Sequence, residues 1–459
     1  MTTTSDLAGE PTYRKFLPAD TPVQYLDEAG ELTDSHARYP HPDDDRMVEM
    51  YRRMVLGRRF DAQATALTKQ GRLAVYPSSH GQDACQIAAA MCLRPTDWMF
   101  PTYRDSVALA ARGVDPVQVL TLLAGDWHCG YDPAALRTAP QCTPLATQLL
   151  HAAGVAHAEH LRGTDTIALA LCGDGGTSEG DFHEALNFAA VFHAPVVFLV
   201  QNNGFAISVP LSRQTAAPSL AHKGVGYGIG SEQVDGNDPI AMLGVMQEAA
   251  HFVRSGNGPV IVEAHTYRID AHTNADDATR YRTSAEVEEW LRRDPITRLE
   301  THLRARGRID DAVVAAVAEE AEAAAADLRD RMNADVEHQP LDLFDHVFAN
   351  PTAQLTEHAG TASGTALGIL ALAFMVRGIG DVIERDGSWL SWFSPLAWAQ
   401  QTRAFVDLRW WPLLVSLAAV AVLLVIAGRL RSTPFPSNVS RSSASVTENC
   451  PCTSTESEP

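Results

Sequence analysis

Hydrophobic residues gather in this chain into three short uninterrupted runs, Thr166–Leu171, Val196–Val200 and Pro259–Ala264. Runs of this length without polar alternation are expected of strands buried on both faces, as in a parallel sheet covered by helices. Ser178–Phe192, between the first two, carries its apolar residues at helical spacing, so this stretch reads as a βαβ unit. Helical spacing recurs over Arg46–Gln70, where Met47, Met50, Met54, Val55 and Leu67 share a face. It recurs again over Gln82–Cys92, which ends near Pro95, and from about Pro116 to Leu123. Asp310–Met332 is Ala- and Glu-rich and amphipathic, and is expected to pack on the flank of the domain. The pattern predicts an α/β fold with a parallel sheet flanked by helices, its βαβ core over about Pro144 to Ala264 and the whole domain over residues 46–355.

The two ends of the chain differ from this domain. Met1–Asp20 is polar, lacks the apolar core of a secretory signal and is expected to be a flexible arm. Residues 21–45, rich in Pro, Asp and His, read as a surface lead-in. Beyond the domain, Ala359–Val376 has no charge over 18 residues and Pro412–Gly428 none over 17. Both lie at the lower edge of a membrane span, which needs about 20 residues. Trp410 and Trp411 before the second run and Arg429 and Arg431 after it resemble membrane-interface flanks, making it the stronger candidate for a transmembrane helix. A buried core helix or a linker is the alternative for each. Residues 432–459, dominated by Ser, Thr and Pro, are expected to be disordered, and Cys450-Pro451-Cys452 has no further metal ligand nearby.

A chain of 459 residues can bury one large core. Its formal charge of −20 argues against a nucleic-acid partner, because no basic stripe is present to neutralise phosphates. Five cysteines scattered between Cys85 and Cys172 follow neither a zinc spacing nor a disulfide framework, which points to a reducing cytoplasm for the domain.

The candidate chemistry sits at the ends of the first two runs. Gly173-Asp174-Gly175 follows one strand and Asn202-Asn203 the other, with the 26 residues Gly176–Gln201 between them. In a parallel sheet, ligands bind beyond the carboxyl ends of the strands, so Asp174 and Asn203 are expected to converge on one crevice. A carboxylate and an amide oxygen suit Mg²⁺, which takes its remaining ligands from waters and substrate phosphates, so the expected guest is a diphosphate. Gly173, Gly175 and Gly176 remove side chains where the backbone must approach it, and Ser178 with Asp181 is expected to cap the following helix. A lone Gly-Asp-Gly would be an ordinary strand end, and the spaced Asn-Asn-Gly is what makes the pattern specific.

These residues, and the surrounding GDGGTSEGDFHEALNFAAVFHAPVVFLVQNNGFAIS, resemble the thiamine-diphosphate motif of the alpha subunit of the decarboxylating component of 2-oxo acid dehydrogenase complexes. The resemblance covers about residues 20–355 and implies a thiamine-diphosphate-binding fold. It implies that Asp174, Asn203 and the main-chain oxygen of Phe205 ligate Mg²⁺. Tyr103-Arg104-Asp105 is similar to the element whose arginine reaches the cofactor diphosphate, and a guanidinium fork suits that task. Thr143-Pro144-Leu145-Ala146-Thr147-Gln148 resembles the segment whose leucine lies under the cofactor, which would make Leu145 the wedge. Tyr267–Asp277, ending in Tyr281-Arg282, resembles the active-site loop and makes His272 the histidine facing the reacting centre, an imidazole that titrates near neutral pH. Asp270 and Ala271 depart from the Gly-His of branched-chain relatives. His80 borders the cofactor in relatives, and His183 reads as structural.

The resemblance further implies a beta-subunit partner in an α₂β₂ tetramer, which supplies the glutamate that activates the cofactor's pyrimidine, and transfer of the acyl group to a lipoyl domain of the acyltransferase. Val234-Asp235-Gly236-Asn237-Asp238 is similar to branched-chain relatives, whereas Pro210–Thr215 and Ala271-His272-Thr273 are equally like bacterial pyruvate enzymes. The reading favours branched-chain 2-oxo acids over pyruvate, with an acetoin-cleaving enzyme as an alternative. Separately, Ser388–Phe405 and Arg409–Leu414 resemble the permease subunit of an ABC exporter over about residues 363–428. The simplest expectation is a chimera with membrane contact through residues 359–428. A membrane component carrying a non-catalytic passenger domain is the contrasting reading.

Overall fold

The computed structural model describes residues 17–33, 38–126 and 128–334, with seven isolated positions farther along the chain. The chain divides into two compact units, Met1–Val336 and Glu337–Pro459, and the elements below belong to the first. The expected domain end near Leu355, the permease-like segment 356–431 with its runs 359–376 and 412–428 (isolated positions apart), the tail 432–459 and most of the N-terminal arm lie outside the described residues. Among the described residues no helix is long and apolar enough to cross a membrane.

The chain opens with α1 (Asp44–Lys69), α2 (Asp83–Met91), β1 (Trp98–Phe100), α3 (Ser106–Arg112), α4 (Pro116–Ala124), α5 (Pro133–Leu136) and α6 (Thr147–Leu161). The centre follows with β2 (Ala168–Gly173), α7 (Gly180–Val191), β3 (Val196–Asn202), β4 (Phe205–Ala206) and β5 (Val209–Pro210). It closes with α8 (His222–Gly226), β6 (Gly230–Asp235), α9 (Pro239–Arg254), β7 (Val260–His265), α10 (Ser284–Leu291), α11 (Pro295–Ala305) and α12 (Asp311–Asn333). Five strands form one parallel sheet in the order β1-β2-β3-β7-β6, and β4 and β5 make a small antiparallel ribbon.

Both faces of the sheet are covered, as the unbroken apolar runs require. Leu169, Leu171, Val197, Leu199, Val260 and Val262 face a core shared with α1, α2 and α9. The alternate residues Ala168, Ala170, Cys172, Val196, Phe198 and Val200 face a second core with α6 and α7. α1 begins at Asp43, whose carboxylate accepts from Arg46 N (2.8 Å), and its expected apolar stripe buries Met47, Met50, Met54 and Leu67. α12 lies on α1 through Val317, Ala321, Ala325 and Leu328, the flank position its pattern predicts.

Two expectations need correction. The helix after the Gly173-Asp174-Gly175 turn does not start at Ser178, because Asp174–Ser178 coils into a 3₁₀ turn and Glu179 leaves it extended (φ −77, ψ 148). Ser178 and Asp181 therefore cap nothing, and Asp181 instead accepts from Thr147 Oγ1 (3.0 Å). The lead-in is also not wholly a surface segment, for it sends several side chains into the core. Tyr25, Leu26 and Tyr39 are buried, and Val23 bridges Val234 in parallel, extending the sheet beyond β6. Asp238 holds this seam, one carboxylate oxygen accepting from the main-chain N–H groups of Tyr25 and Leu26 and the other from Ile240 N (3.0 Å) and Ala241 N (3.1 Å) at the start of α9. Arg298 completes it, donating to Leu26 O, Asp27 O, Asn237 O and Asp235.

Replacing Asp238 by Ala leaves four amides without their acceptor and is expected to destabilise the protein by about 3 kcal/mol, read as a lower urea midpoint. An unchanged midpoint would mean that the seam contributes nothing to folding.

Candidate active site

The register pairs Gly173 of β2 with Gln201 of β3 and Asn202 of β3 with His265 of β7, so three neighbouring strands end at one level. Asp174, Asn203 and the Tyr267–Arg282 loop leave from these ends. They border one cavity of about 420 Å³, which Tyr103, Arg104, Leu145, Gly173, Gly175, Gly176, Phe205 and His272 also line. Every site residue expected from the sequence is thus gathered at one place. His80 is not on its wall, and His183 pairs with Tyr227 OH (2.7 Å) in a structural contact.

Asp174 is buried, and burial raises its carboxyl above the usual range, partly offset by a hydrogen bond from Gln214 Nε2 (2.6 Å) to its Oδ2. Gln214 also donates to Val209 O (3.0 Å), while its buried Oε1 has no partner in the protein. Asn203 Oδ1 accepts only a long contact from Phe205 N (3.3 Å). Among the described residues no cluster of three His, Cys, Asp or Glu side chains is arranged to hold a metal, so any cation here would rest on carboxylate, amide and main-chain oxygens. The glycines divide into two kinds. A Cβ on Gly175 would fall 2.8 Å from Ala206 Cβ and one on Gly176 2.9 Å from Leu145 O, so these two let the turn close on the protein itself. A Cβ on Gly173 would meet nothing within 4 Å, so only there is space kept open.

Arg104 is placed by its neighbour. Buried Asp105 accepts from Thr102 Oγ1 (2.7 Å) and from Gln201 Nε2 (2.6 Å), tying the Tyr103-Arg104-Asp105 corner to the end of β3. Arg104 then donates to Ser78 O (2.8 Å) and His272 O (2.9 Å), and its Nη2 lies 3.0 Å from His272 Nδ1. A second guanidinium, Arg268, reaches the same ring at 3.4 Å and donates to Ile207 O (2.8 Å) and Tyr281 OH (2.8 Å). Arg268 is only 2% exposed, and its Nε has no partner. Among the described residues neither guanidinium has a carboxylate within 4.0 Å. Leu145, a large apolar side chain 42% exposed, projects beside them.

His272 does not titrate near neutrality, contrary to the sequence expectation. Burial and then the charges of Arg104 and Arg268 lower it to about 4. An arginine has only hydrogens to give, so Nδ1 accepts and the single ring proton sits on Nε2. Asp276, accepting from His272 N (2.8 Å), supplies support for the loop that the motif did not reveal. Arg268 and Gln214 are positions of the crevice that sequence reasoning passed over. Both stood inside recognised motifs, Tyr267–Asp277 and Pro210–Thr215, but nothing in the sequence connects Gln214 to Asp174.

Fold and crevice are those of α/β proteins that bind their ligand beyond the carboxyl ends of a parallel sheet. The dehydrogenase E1 component family matches residues 51–340, and the chain belongs to it. Over 334 residues, 73% of this chain and 91% of the relative, it is 43% identical to the 3-methyl-2-oxobutanoate dehydrogenase subunit alpha of Mycobacterium tuberculosis. Over 286 residues, 62% of this chain and 77% of the relative, it is 39% identical to the pyruvate dehydrogenase E1 component subunit alpha of Staphylococcus aureus. It is thus an oxidoreductase of a family that in general depends on thiamine diphosphate.

In the free protein the histidine C2 proton of His272 should titrate near 4, and Arg104→Met should move that midpoint upward, since removing a neighbouring positive charge favours the imidazolium. As pH falls from 6.5 towards 4, folding should lose stability, because the unfolded chain takes up a proton that the folded site refuses. Histidine NMR on ¹³C-labelled protein checks both, and a midpoint near 6.5 contradicts them.

Proposed function

We propose that this chain is the α subunit of a 2-oxo acid dehydrogenase, holding the diphosphate of thiamine diphosphate and its Mg²⁺ in the crevice while a β subunit holds the pyrimidine. The observation that carries the reading is the pair of buried guanidiniums around His272 with no carboxylate within ion-pair distance among the described residues, an arrangement that calls for an anionic ligand. The donor set fits the rest of the group. Asp174, the Asn203 amide and the Phe205 main-chain oxygen are hard ligands for Mg²⁺, and the orphaned Oε1 of Gln214 suits a hydrogen bond from a metal-bound water.

Each side chain then has a task. Arg104 and Arg268 take diphosphate oxygens, Leu145 packs under the cofactor beside Gly173, and His272 offers its Nε2 proton to negative charge developing on the substrate. Because Arg104 occupies Nδ1, the ring cannot rotate its proton away from the crevice without losing that bond. When bound, thiamine diphosphate supplies the electron sink that a 2-oxo acid needs to lose CO₂. The acyl group passes to a lipoyl domain of the acyltransferase.

For the substrate we favour branched-chain 2-oxo acids, supported by the more similar relative, which is named for 3-methyl-2-oxobutanoate. The Val234–Asp238 motif bears less on this choice than its resemblance implied, since it builds the Asp238 seam and lines no part of the cavity. Apolar Val75, Leu123 and Ile207 on the wall leave room for a branched chain.

In the reconstituted α/β assembly, Asp174→Ala should weaken Mg²⁺-dependent thiamine diphosphate binding by about 100-fold or more, since even residues behind metal ligands are worth 10- to 100-fold. Calorimetry reads this, and undiminished binding would remove the proposed cation site. With the same assembly, kcat/KM for 3-methyl-2-oxobutanoate should exceed that for pyruvate by about tenfold or more, the scale set by extra methylenes in an apolar pocket. Equal values, or a preference for pyruvate or acetoin, would overturn the substrate assignment and leave the cofactor site standing.

A further inference from the structure

The Tyr267–Arg282 segment that brings Arg268 and His272 to the crevice rests on a second loop, Ser78–Gly81, through contacts that the chemistry above does not use. Ile269 N donates to His80 O (3.1 Å), Thr266 Oγ1 donates to Gly81 O, and a Cβ on Gly81 would collide with Tyr267 O. The two backbones therefore touch directly, with glycine at φ +95 allowing it.

Asp270 adds a side-chain tie to this seat. Its Oδ2 accepts from Ser78 Oγ (2.7 Å) and lies 3.4 Å from His80 Nδ1. Ser78 Oγ is also 2.7 Å from Asp61 Oδ2, and Asp61, on α1, accepts from Tyr76 OH (2.8 Å) and Ser79 N (2.6 Å). One hydroxyl has one proton, so two carboxylate oxygens at this distance require a second proton in the cluster. Asp61 is buried and desolvation raises its carboxyl, whereas at Asp270 burial is outweighed by the His80 and Ser78 hydrogen bonds and the net shift is downward. Ser78 Oγ thus bridges the two carboxylates, 2.7 Å from Asp61 Oδ2 on one side and 2.7 Å from Asp270 Oδ2 on the other. Because the Asp270 side chain is 50% exposed, solvent screens its attraction to His80, and the bridge through buried Ser78 carries the tie.

We propose that Asp270 is a positioning residue: through Ser78 it fastens the His272 loop to α1, so that Arg268 and His272 stand in place before the diphosphate arrives. The inference rests on the cofactor reading above for what the loop serves, but not for the fastening itself.

The test compares wild type with Asp270→Ala and with the milder Asp270→Asn, whose amide oxygen still accepts from Ser78, each as the full chain with its β subunit. Without cofactor, trypsin should cut after exposed Arg280 about tenfold faster in D270A, with D270N between it and wild type, as expected when a hydrogen bond to a charged group no longer closes a loop. Thiamine diphosphate with Mg²⁺ should restore protection. The apparent cofactor Kd should rise about threefold to tenfold while kcat at saturating cofactor stays within about twofold, because the cost lies in closing the loop before binding. Equal cleavage rates without cofactor overturn the proposal, as does a fall in kcat at saturation without faster cleavage, which would place Asp270 in the chemistry. A wild-type assembly that binds no thiamine diphosphate would instead defeat the function proposed above, and the cofactor-free digestion would still read the tie.

Discussion

Two arginines share one imidazole, and the architecture around the crevice serves to keep them there. Arg104 and Arg268 are buried within 3.4 Å of His272 Nδ1. Burying cations with no carboxylate in direct contact costs several kcal/mol per group even after relaxation. The protein meets that cost with main-chain carbonyls, Ser78 O and His272 O for one arginine and Ile207 O for the other, which solvate the guanidiniums without cancelling their charge. The result is a pair of fixed guanidiniums at the ends of the central strands, Arg268 being coupled through space to Asp174 and Asp276 without a direct ion pair to either.

This placement depends on the sheet. β2, β3 and β7 are adjacent and in register, so the residues that follow them emerge side by side although they lie far apart in sequence. Gln201 makes the link explicit, since it closes β3 and also fixes Asp105, whose neighbour is Arg104. A shift of the β3 register would move Asn203 and the Arg104 corner together.

The central strands and long helices were legible because burial on both faces writes itself as unbroken apolar runs, and the site because its residues sit in recognisable motifs at strand ends. Polar strands were not legible. β6, Gly230-Ser231-Glu232-Gln233-Val234-Asp235, has no apolar run to announce it and receives no element from the pattern, yet Glu232 is buried because Tyr39 and Arg38 come to it from the lead-in. That pairing depends on tertiary structure and leaves no local trace. The same holds for the lowered pKa of His272, set by burial and then by Arg104, 168 residues away, and for Gln214 on Asp174, 40 residues away. The lead-in was misjudged because its Pro, Asp and His content outweighed the few side chains, Tyr25, Leu26 and Tyr39, that decide where it lies.

The short bridge between Val23 and Val234 has a counterpart on the opposite margin, where Thr138 bridges Met99 beside β1. Each outer strand of the sheet is therefore met by irregular chain, β6 by Val23 and β1 by Thr138, with Cys142 bridging Thr102 just past β1. Full rows of free amides and carbonyls at a sheet edge are templates for pairing with foreign strands. These bridges shorten the open margin at β1 and β6 without adding a strand to the fold.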